Sequence, residues 1–236
     1  MASTGFQFKQ FFVAHDQCAM KVNTDGILLG AIADTHNAKQ ILDIGTGTGL
    51  VALMLAQRTA NDVQITGLEI EPSAFQQATQ NVANSPWAGR ITILQGGLFE
   101  QDFVKSFELI VSNPPYFTHS LPSRNAQRDL ARFLNQSHFQ WLKQAKNWLS
   151  LQGKIYFILP TKCAESLIIQ AESIGLYCHE KWQICTKKGK NPKRQIIGWG
   201  LIPTAKPHTH ILTIYEADNQ YSESFKVLTQ AFYLNF

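Results

Sequence analysis

The chain has 236 residues, of which 44% are hydrophobic and 16% charged, with a formal net charge of +4 and a sequence pI of about 8.8. This composition supplies a full apolar core and excludes a disordered chain. The mildly basic charge permits a polyanionic partner without requiring one. No stretch reaches the ~18 apolar residues of a membrane helix, so we expect a cytoplasmic protein without a membrane partner.

The cysteines and the N-terminus exclude two further classes. The four cysteines, Cys18, Cys163, Cys178 and Cys185, form no Cys-x-x-Cys pair, and their spacings fit no common zinc pattern. We therefore predict no metal centre and expect reduced, mostly buried thiols. The opening MASTGFQFKQFF lacks the apolar core and cleavage site of a secretory signal.

Short apolar runs alternate with amphipathic segments along most of the chain. Residues 1–23 are aromatic-rich and are expected to be irregular, and a helix follows with Thr24 or Asp25 as its cap. The next predicted elements are a strand at 40–44, a helix at 49–58, a strand at 63–70, a helix at 72–85, strands at 91–96 and 107–113, a helix at about 134–150, a strand at 154–160, a helix at about 161–174, and three strands starting near 176, 194 and 210.

This alternation predicts an α/β fold with a doubly wound, Rossmann-like sheet, mostly parallel and covered by helices on both faces. The last three strands are expected to add antiparallel at one edge. Because no change in composition marks a linker, we predict a single domain over residues 1–236.

A glycine-rich loop, Asp43-Ile44-Gly45-Thr46-Gly47-Thr48-Gly49, follows the strand at 40–44 and opens the next helix. Glycines allow positive φ angles and close approach of a ligand, which in open α/β sheets binds beyond the carboxyl ends of the strands. The dinucleotide pattern is GxGxxG, whereas this loop reads GxGxG after an acid that would repel a pyrophosphate. The same carboxylate suits a positive ligand such as S-adenosylmethionine, which carries an ammonium and a sulfonium, and we expect Asp43 to attract the ammonium through water. A purely structural turn is the alternative.

An acidic pair ends the next strand. An acid about 20 residues after the glycines suits a ribose diol, because a carboxylate accepts hydrogen bonds from both hydroxyls. We assign Glu69 to this role. Glu71 is expected to face solvent at the start of a helix, where it interacts favourably with the helix dipole.

The loop after the fourth predicted strand reads Ser112-Asn113-Pro114-Pro115-Tyr116. An exocyclic adenine amine is a poor nucleophile until its nitrogen becomes pyramidal. Two acceptors for its hydrogens, the Asn113 side-chain oxygen and the Pro114 carbonyl, favour that geometry, and two prolines hold them in place. Tyr116 offers a stacking face for a flipped base. A rigid turn beside a core aromatic residue is the alternative.

The two loops together resemble the class I amino-methyltransferases of adenine, cytosine or glutamine amides. Four further stretches, at 8–30, 113–121, 191–200 and 228–236, resemble the bacterial tRNA (adenine-N6)-methyltransferases that modify adenosine 37 beside the anticodon of valine tRNA. This resemblance covers essentially the whole chain. It implies S-adenosylmethionine as cofactor, tRNA as partner and, we expect, a monomer.

The resemblance also implies residue roles. Catalytic roles fall on Asn113, Pro114, Pro115 and Tyr116. The cofactor-binding residues implied are Lys21, Thr24, Asp43, Gly45, Thr46, Gly47, Gly49, Glu69, Ile70, Leu98 and Asn113. Residues 1–35 form an N-terminal extension that packs over the methionine end of the cofactor, with Lys21, Thr24 and Asp25 in that segment. For these three residues, helix capping and a solvated lysine are the alternative.

Two positions depart from the family. Relatives often carry an acid after the third strand to contact the cofactor adenine, whereas this chain reads Gln95-Gly96-Gly97-Leu98, and a backbone N–H near Leu98 would replace it. Relatives also tend to read Ala-Arg-His after the NPPY loop, where this chain has Phe133 in place of the histidine.

A basic run between two edge strands is the candidate RNA-binding surface, and it comprises Lys187, Lys188, Lys190, Lys193 and Arg194. Lys9, Arg124, Arg128 and Arg132 could extend it into a phosphate-binding rim. An ordinary solvated loop is the alternative. The N-terminal Phe6, Phe8, Phe11 and Phe12, with His15 and Asp16, either cover the site or belong to the core.

Three other functions stay open at this point. A protein glutamine N5-methyltransferase presents a similar planar NH₂ group to the same loop. A non-catalytic RNA-binding subunit would have lost cofactor binding. A nucleotide-dependent oxidoreductase is disfavoured by the glycine spacing.

Overall fold

The computed structural model describes residues 4–18, 20–104, 106–115 and 137–235. In these residues the strands are β1 (Gly5–Gln7), β2 (Phe12–Ala14), β3 (Gln40–Ile44), β4 (Gln64–Glu69), β5 (Ile91–Gln95), β6 (Phe107–Ser112), β7 (Leu149–Pro160), β8 (Tyr177–Lys187), β9 (Arg194–Gly200) and β10 (His208–Tyr215). The helices are α1 (Thr24–Ile32), α2 (Leu50–Arg58), α3 (Pro72–Ala83), α4 (His138–Lys146), α5 (Thr161–Glu172) and α6 (Glu223–Thr229).

Eight strands form one sheet in the order β10-β8-β9-β7-β6-β3-β4-β5, and the last five of these are mutually parallel. Side chains alternate between the two faces of a strand. On β3, Ile41 therefore packs into a cluster with α1 and α2, while Leu42 packs into a second cluster with α4 and α5. The two cores confirm the doubly wound α/β prediction.

The prediction for the terminal strands is correct only for β9, which pairs antiparallel with both β7 and β8. The short loop between β8 and β9 reverses the chain and forces that orientation. The chain reverses again before β10, which pairs with β8 instead of β9 and so lies parallel to it. Two of the three terminal strands thus run with the central sheet.

The helix predicted to reach about residue 150 ends at Lys146, and β7 begins at Leu149. Trp148 accepts a backbone hydrogen bond from the N–H of Phe107 at 2.7 Å, and Leu149 pairs with Phe107 in the sheet. The sheet contact outweighs the helical pattern of the sequence at this point.

Both ends of the described chain hold structure that the sequence patterns did not predict. The expectation that residues 1–23 are irregular is wrong, because β1 and β2 form a hairpin with Gly5 opposite Ala14. Near its turn, the rings of Phe8 and Phe11 stack with centroids 4.6 Å apart, and both are buried. These two phenylalanines are core residues, not a cover for the site.

Helix α6 was also missed. Its cap is Ser222, whose side chain accepts a hydrogen bond from the N–H of Phe225. Phe225 is fully buried and packs against Tyr233, which also contacts Phe8. The terminal segments therefore pack on each other. Among the residues that the structure describes, none of the helices combines the length and hydropathy needed to cross a membrane.

Candidate functional site

The glycine loop and the Asn-Pro-Pro loop leave the sheet side by side. Ile44, the last residue of β3, lies opposite Ser112, the last residue of β6. The buried Ser112 hydroxyl donates to the carbonyl oxygen of Ile44 at 2.7 Å and so ties the two strand ends together. Gly45 and Asn113 consequently begin adjacent loops at the carboxyl edge of the sheet, as the order of elements predicted.

The glycine loop has the conformation that its sequence requires. Gly45, Gly47 and Gly49 have φ angles of 71°, 58° and 80°, a region that other residues rarely adopt. The N–H groups of Gly45 and Thr46 both donate to the carbonyl of Leu68, at 2.8 and 3.0 Å, which fixes the loop against β4. A Cβ atom added at Gly47 would meet nothing within 4 Å, so the backbone there borders open space.

Asp43 is a buried carboxyl group at the floor of the cleft, with 1% of its surface exposed. Removal from water raises the pKa of Asp43 to about 7, although the hydrogen bond from the Thr46 hydroxyl, at 2.6 Å, acts in the opposite direction. A buried carboxylate is stable only with a compensating positive charge or hydrogen bonds. Asp43 therefore favours a cationic ligand in the cleft.

Glu69, the last residue of β4, bonds the backbone of the glycine loop. Its two carboxylate oxygens accept hydrogen bonds from the N–H groups of Gly47 and Glu71, at 2.8 and 2.9 Å. Burial raises the pKa of Glu69. Each oxygen keeps a lone pair for a further donor. Glu71 caps α3 by accepting from the N–H of Ala74 at 2.7 Å, which confirms its placement at a helix start.

The third wall of the cleft comes from the segment before α1. The cap of α1 is Asn23, whose side-chain oxygen accepts from the N–H of Gly26 at 2.9 Å, so the prediction of Thr24 or Asp25 as cap is wrong. The cap lies one residue earlier because Thr24 already has helical geometry. Including its open mouth, the cleft holds about 390 Å³ and is lined by Met20, Lys21, Asn23, Gly26, Asp43, Gly45, Thr46, Gly47, Thr48, Leu50, Val51 and Asn113.

Five predicted cofactor residues lie outside this lining: Thr24, Gly49, Glu69, Ile70 and Leu98. Glu69 meets the lining only through its hydrogen bond from the N–H of Gly47. Thr24 sits between two lining residues, Asn23 and Gly26, and Gly49 is the N-cap of α2. Leu98 buries its side chain in the core, so only its backbone could meet a ligand. Ile70 is half-buried just beyond β4.

Sequence reasoning missed Asn81, a buried side chain on α3. Its amide donates to the carbonyls of Ala14 and Thr48, both at 2.9 Å, and its oxygen accepts from the N–H of Ala14 at 3.0 Å. Asn81 thus joins the N-terminal hairpin to the glycine loop. The sequence contains a pattern that could have indicated Asn81, because Asn81 and Gln77 are polar residues on the otherwise apolar, buried stripe of α3.

In the Asn-Pro-Pro loop, Asn113 is half-buried and lines the cleft, while Pro114 is buried. The carbonyl of Pro115 lies 3.3 Å from Nε2 of His138, at the start of α4. The predicted stacking residue Tyr116 lies outside the described residues, as do Arg124, Arg128, Arg132 and Phe133.

The basic run is partly used within the protein. Lys187 donates to the side chain of Asn219 at 2.8 Å, and Lys188 forms an exposed ion pair with Glu216 at 3.0 Å. Lys9 donates to the carbonyl of Gln230, close to the C-terminus.

Arg194 at the end of the run bonds Asp25 at 2.9 Å, so its guanidinium already has an acidic partner. For Lys190 and Lys193, which are exposed, the described part of the chain shows no ion pair. Three of the five basic residues, Lys187, Lys188 and Arg194, therefore already have a bonding partner within the protein.

Comparison with known proteins shows to which family the chain is similar. Residues 19–172 match the family described as Methyltransferase small domain. A protein of Actinobacillus pleuropneumoniae serotype 7 named tRNA1(Val) (adenine(37)-N6)-methyltransferase is 56% identical over 235 residues, which cover 99% of this chain and 98% of that protein. One with the same name from Haemophilus influenzae is 46% identical over 99% of this chain and its own full length.

The chain belongs to this methyltransferase family. Its fold agrees, since a predicted O-methyltransferase from Agrobacterium tumefaciens superposes with a TM-score of 0.65 over 88% of this chain and 96% of the other, at 18% identity. As a member of the family, the chain is an S-adenosylmethionine-dependent methyltransferase. The cleft fits that cofactor, because the buried carboxyl group of Asp43, for which the described residues show no salt bridge, lines the same cleft as the open backbone of Gly47.

Proposed function

We propose that this enzyme transfers a methyl group from S-adenosylmethionine to the N6 amine of an adenine in tRNA, namely adenosine 37 beside the anticodon of valine tRNA. The observation that carries the proposal is the contact between the two loop origins. Ser112 bonds Ile44 directly, so the glycine loop and Asn113 open into one cleft. The names of the relatives support the choice of tRNA position.

On the donor side, the cofactor supplies an electrophilic methyl group on a sulfonium. Asp43 would attract the cationic methionine end, and the backbone of Gly45 to Gly47 borders the space that the cofactor needs. We assign Glu69 to the ribose, because its carboxylate is fixed by two N–H groups and still has acceptor capacity. Lys21 and Asn23 close the cleft from the N-terminal segment.

On the acceptor side, the protein must make a conjugated amine nucleophilic. The Asn113 side-chain oxygen and the Pro114 carbonyl would accept the two amine hydrogens and favour a pyramidal nitrogen whose lone pair points into the cleft. The rings of Pro114 and Pro115 fix their φ angles, so the acceptors are oriented before the reaction. As the methyl group moves, the sulfur keeps the electrons of the broken bond as a neutral thioether. The methylated nitrogen is then positively charged and acidic, so it loses one proton to solvent without a strong base.

The RNA would reach the cleft, at the carboxyl edge of the sheet, past the loop between β8 and β9. That loop is anchored to the start of α5, where the Thr161 hydroxyl donates to the carbonyl of Pro192 at 2.8 Å and the Thr161 N–H donates to that of Lys193. It therefore lies where the parallel strand β7 ends, at the same edge as the cleft. We assign Lys190 and Lys193 to phosphate contacts, with Lys187, Lys188 and Arg194 shaping the loop.

Mass spectrometry of tRNA nucleosides after incubation with enzyme and cofactor tests the proposal. We expect one N6-methyladenosine per valine tRNA and none when adenosine 37 is replaced by guanosine. Label appearing in a protein release factor instead of tRNA would establish the glutamine methyltransferase alternative. Calorimetry without any cofactor binding would establish the non-catalytic one. We also expect a monomer, which sedimentation equilibrium would check.

A further inference from the structure

His138 lies outside the sequence motifs but contacts the Asn-Pro-Pro loop, Asn113 to Pro115, which is called the acceptor loop below because it is assigned to the methyl acceptor. It is the first residue of α4, and its Nε2 atom lies 3.3 Å from the carbonyl oxygen of Pro115. A carbonyl can only accept, so Nε2 carries the hydrogen in this contact. Burial lowers the pKa of His138, which keeps the ring in its neutral form near neutral pH.

The backbone torsions of the loop show why this contact matters. The rings fix φ at Pro114 and Pro115. The ψ angles of Asn113 and Pro114 are restricted as well, because each residue precedes a proline. The first unrestricted torsion after the acceptors is therefore ψ of Pro115. That torsion sets the orientation of the Pro115 carbonyl, which is the group that His138 bonds.

We propose that His138 is a positioning residue, which fixes ψ of Pro115 by donating from Nε2 to its carbonyl and thereby holds the acceptor loop in its reactive geometry. The inference rests on the proposed function, because it treats Asn113 and Pro114 as the groups that bind the target amine. His138 itself is given no contact with the substrate or cofactor. Its loss would release the loop at one bond and leave the donor side of the cleft unchanged.

The helix that carries His138 provides a matched control. Ser137 and Gln140 form a capping box. Gln140 Oε1 accepts a hydrogen bond from the N–H of Ser137 at 3.0 Å, and Ser137 Oγ accepts one from the N–H of Gln140 at 3.4 Å. Gln140→Ala weakens the same helix start without touching the bond to Pro115. Any purely structural effect of α4 should therefore appear in both His138→Leu and Gln140→Ala.

The test compares His138→Leu, His138→Gln and Gln140→Ala in steady-state methylation of tRNA and in calorimetric cofactor binding. We expect His138→Leu to lose about tenfold in kcat, the effect of one lost hydrogen bond, with cofactor Kd unchanged. His138→Gln, whose amide can donate, should recover most of this loss. Gln140→Ala should keep wild-type kcat.

Three results would overturn the inference: a fully active His138→Leu variant, an equal kcat loss in Gln140→Ala, or a glutamine variant no better than leucine. Failure of the proposed function looks different. In that case the wild-type enzyme itself leaves adenosine 37 unmodified.

Discussion

Arg194 Nε donates to the Oδ2 atom of Asp25 over 2.9 Å, across 169 positions of sequence. Arg194 ends the basic loop and begins β9, whereas Asp25 lies in the first turn of α1, next to Gly26 of the cofactor cleft. This bond connects the surface assigned to RNA with the helix that borders the donor site.

A double-mutant cycle measures how much the bond between Asp25 and Arg194 contributes to the free energy of unfolding. With Asp25→Ala, Arg194→Ala and the double variant, we expect a coupling of about 1 kcal/mol in urea unfolding, because the pair is partly shielded from water. The Lys188–Glu216 pair is the control, since its lysine is well exposed and its coupling should be close to zero. Equal couplings would show that the Asp25–Arg194 bond stabilises the fold no more than an exposed ion pair does.

Asn113→Ala separates binding from chemistry. Its side-chain oxygen is assigned to the amine in the transition state, so we expect turnover to fall by ~10²-fold with the cofactor dissociation constant nearly unchanged. Asn113→Asp keeps an acceptor oxygen at the same position and should retain more turnover than alanine. Single-turnover kinetics and calorimetry supply the two quantities. Parallel losses in both would remove Asn113 from the assigned role.

Asp43 predicts a pH dependence of stability. Folding raises its pKa from 3.8 to about 7, so the folded chain holds the proton more tightly than the unfolded chain. The contribution of Asp43 to the free energy of unfolding is therefore complete below the unfolded value and is lost as the pH rises to about 7. Asp43→Asn should remove this slope in urea titrations. A slope that persists in the variant would assign it to other groups.

The same residue predicts that cofactor binding depends on pH in the opposite sense. A cationic ligand prefers the ionised carboxylate, whose fraction grows about tenfold per unit of pH below the pKa. Cofactor affinity should thus increase from about pH 5 to about pH 7, a range in which an α-amino group stays protonated. Calorimetry at several pH values would show this rise in the wild type and a flat, weaker response in Asp43→Asn.

The basic loop predicts which lysines affect the binding of tRNA. Replacing Lys190 or Lys193 by alanine should lower the slope of log K against log salt by about 0.7 per lost phosphate contact to a single-stranded loop. Lys39→Ala is the control, because that exposed lysine directly precedes β3, at the opposite, amino edge of the parallel strands, and should change the slope little. Fluorescence titrations across a salt series provide the slopes. Identical slopes in all three variants would contradict the assignment.

The central sheet could be predicted because its information is local. The runs around Ile41, Leu68 and Ile110 are short and apolar, and the glycines and prolines that end them mark the loops. The order of parallel strands then brings Gly45 and Asn113 to one edge without any knowledge of contacts. The main features of the cleft followed from this pattern.

The missed features depend on contacts between distant residues. Asn81 is an ordinary polar residue until the hairpin and the glycine loop reach it. Nothing near Arg194 in the sequence indicates that its guanidinium bonds Asp25. The bond between His138 and Pro115 likewise spans 23 positions, so no local pattern contains it.

The hairpin of β1 and β2 has one more consequence, which concerns synthesis. Its anchors lie far downstream, at Asn81 and at the carbonyl of Phe232, which accepts from the N–H of Lys9 at 2.8 Å. Chains emerge from the ribosome N-terminus first. The hairpin is therefore made before either anchor. It can bond Asn81 once α3 has emerged, whereas its contact with Phe232 forms only after the intervening sheet has been made.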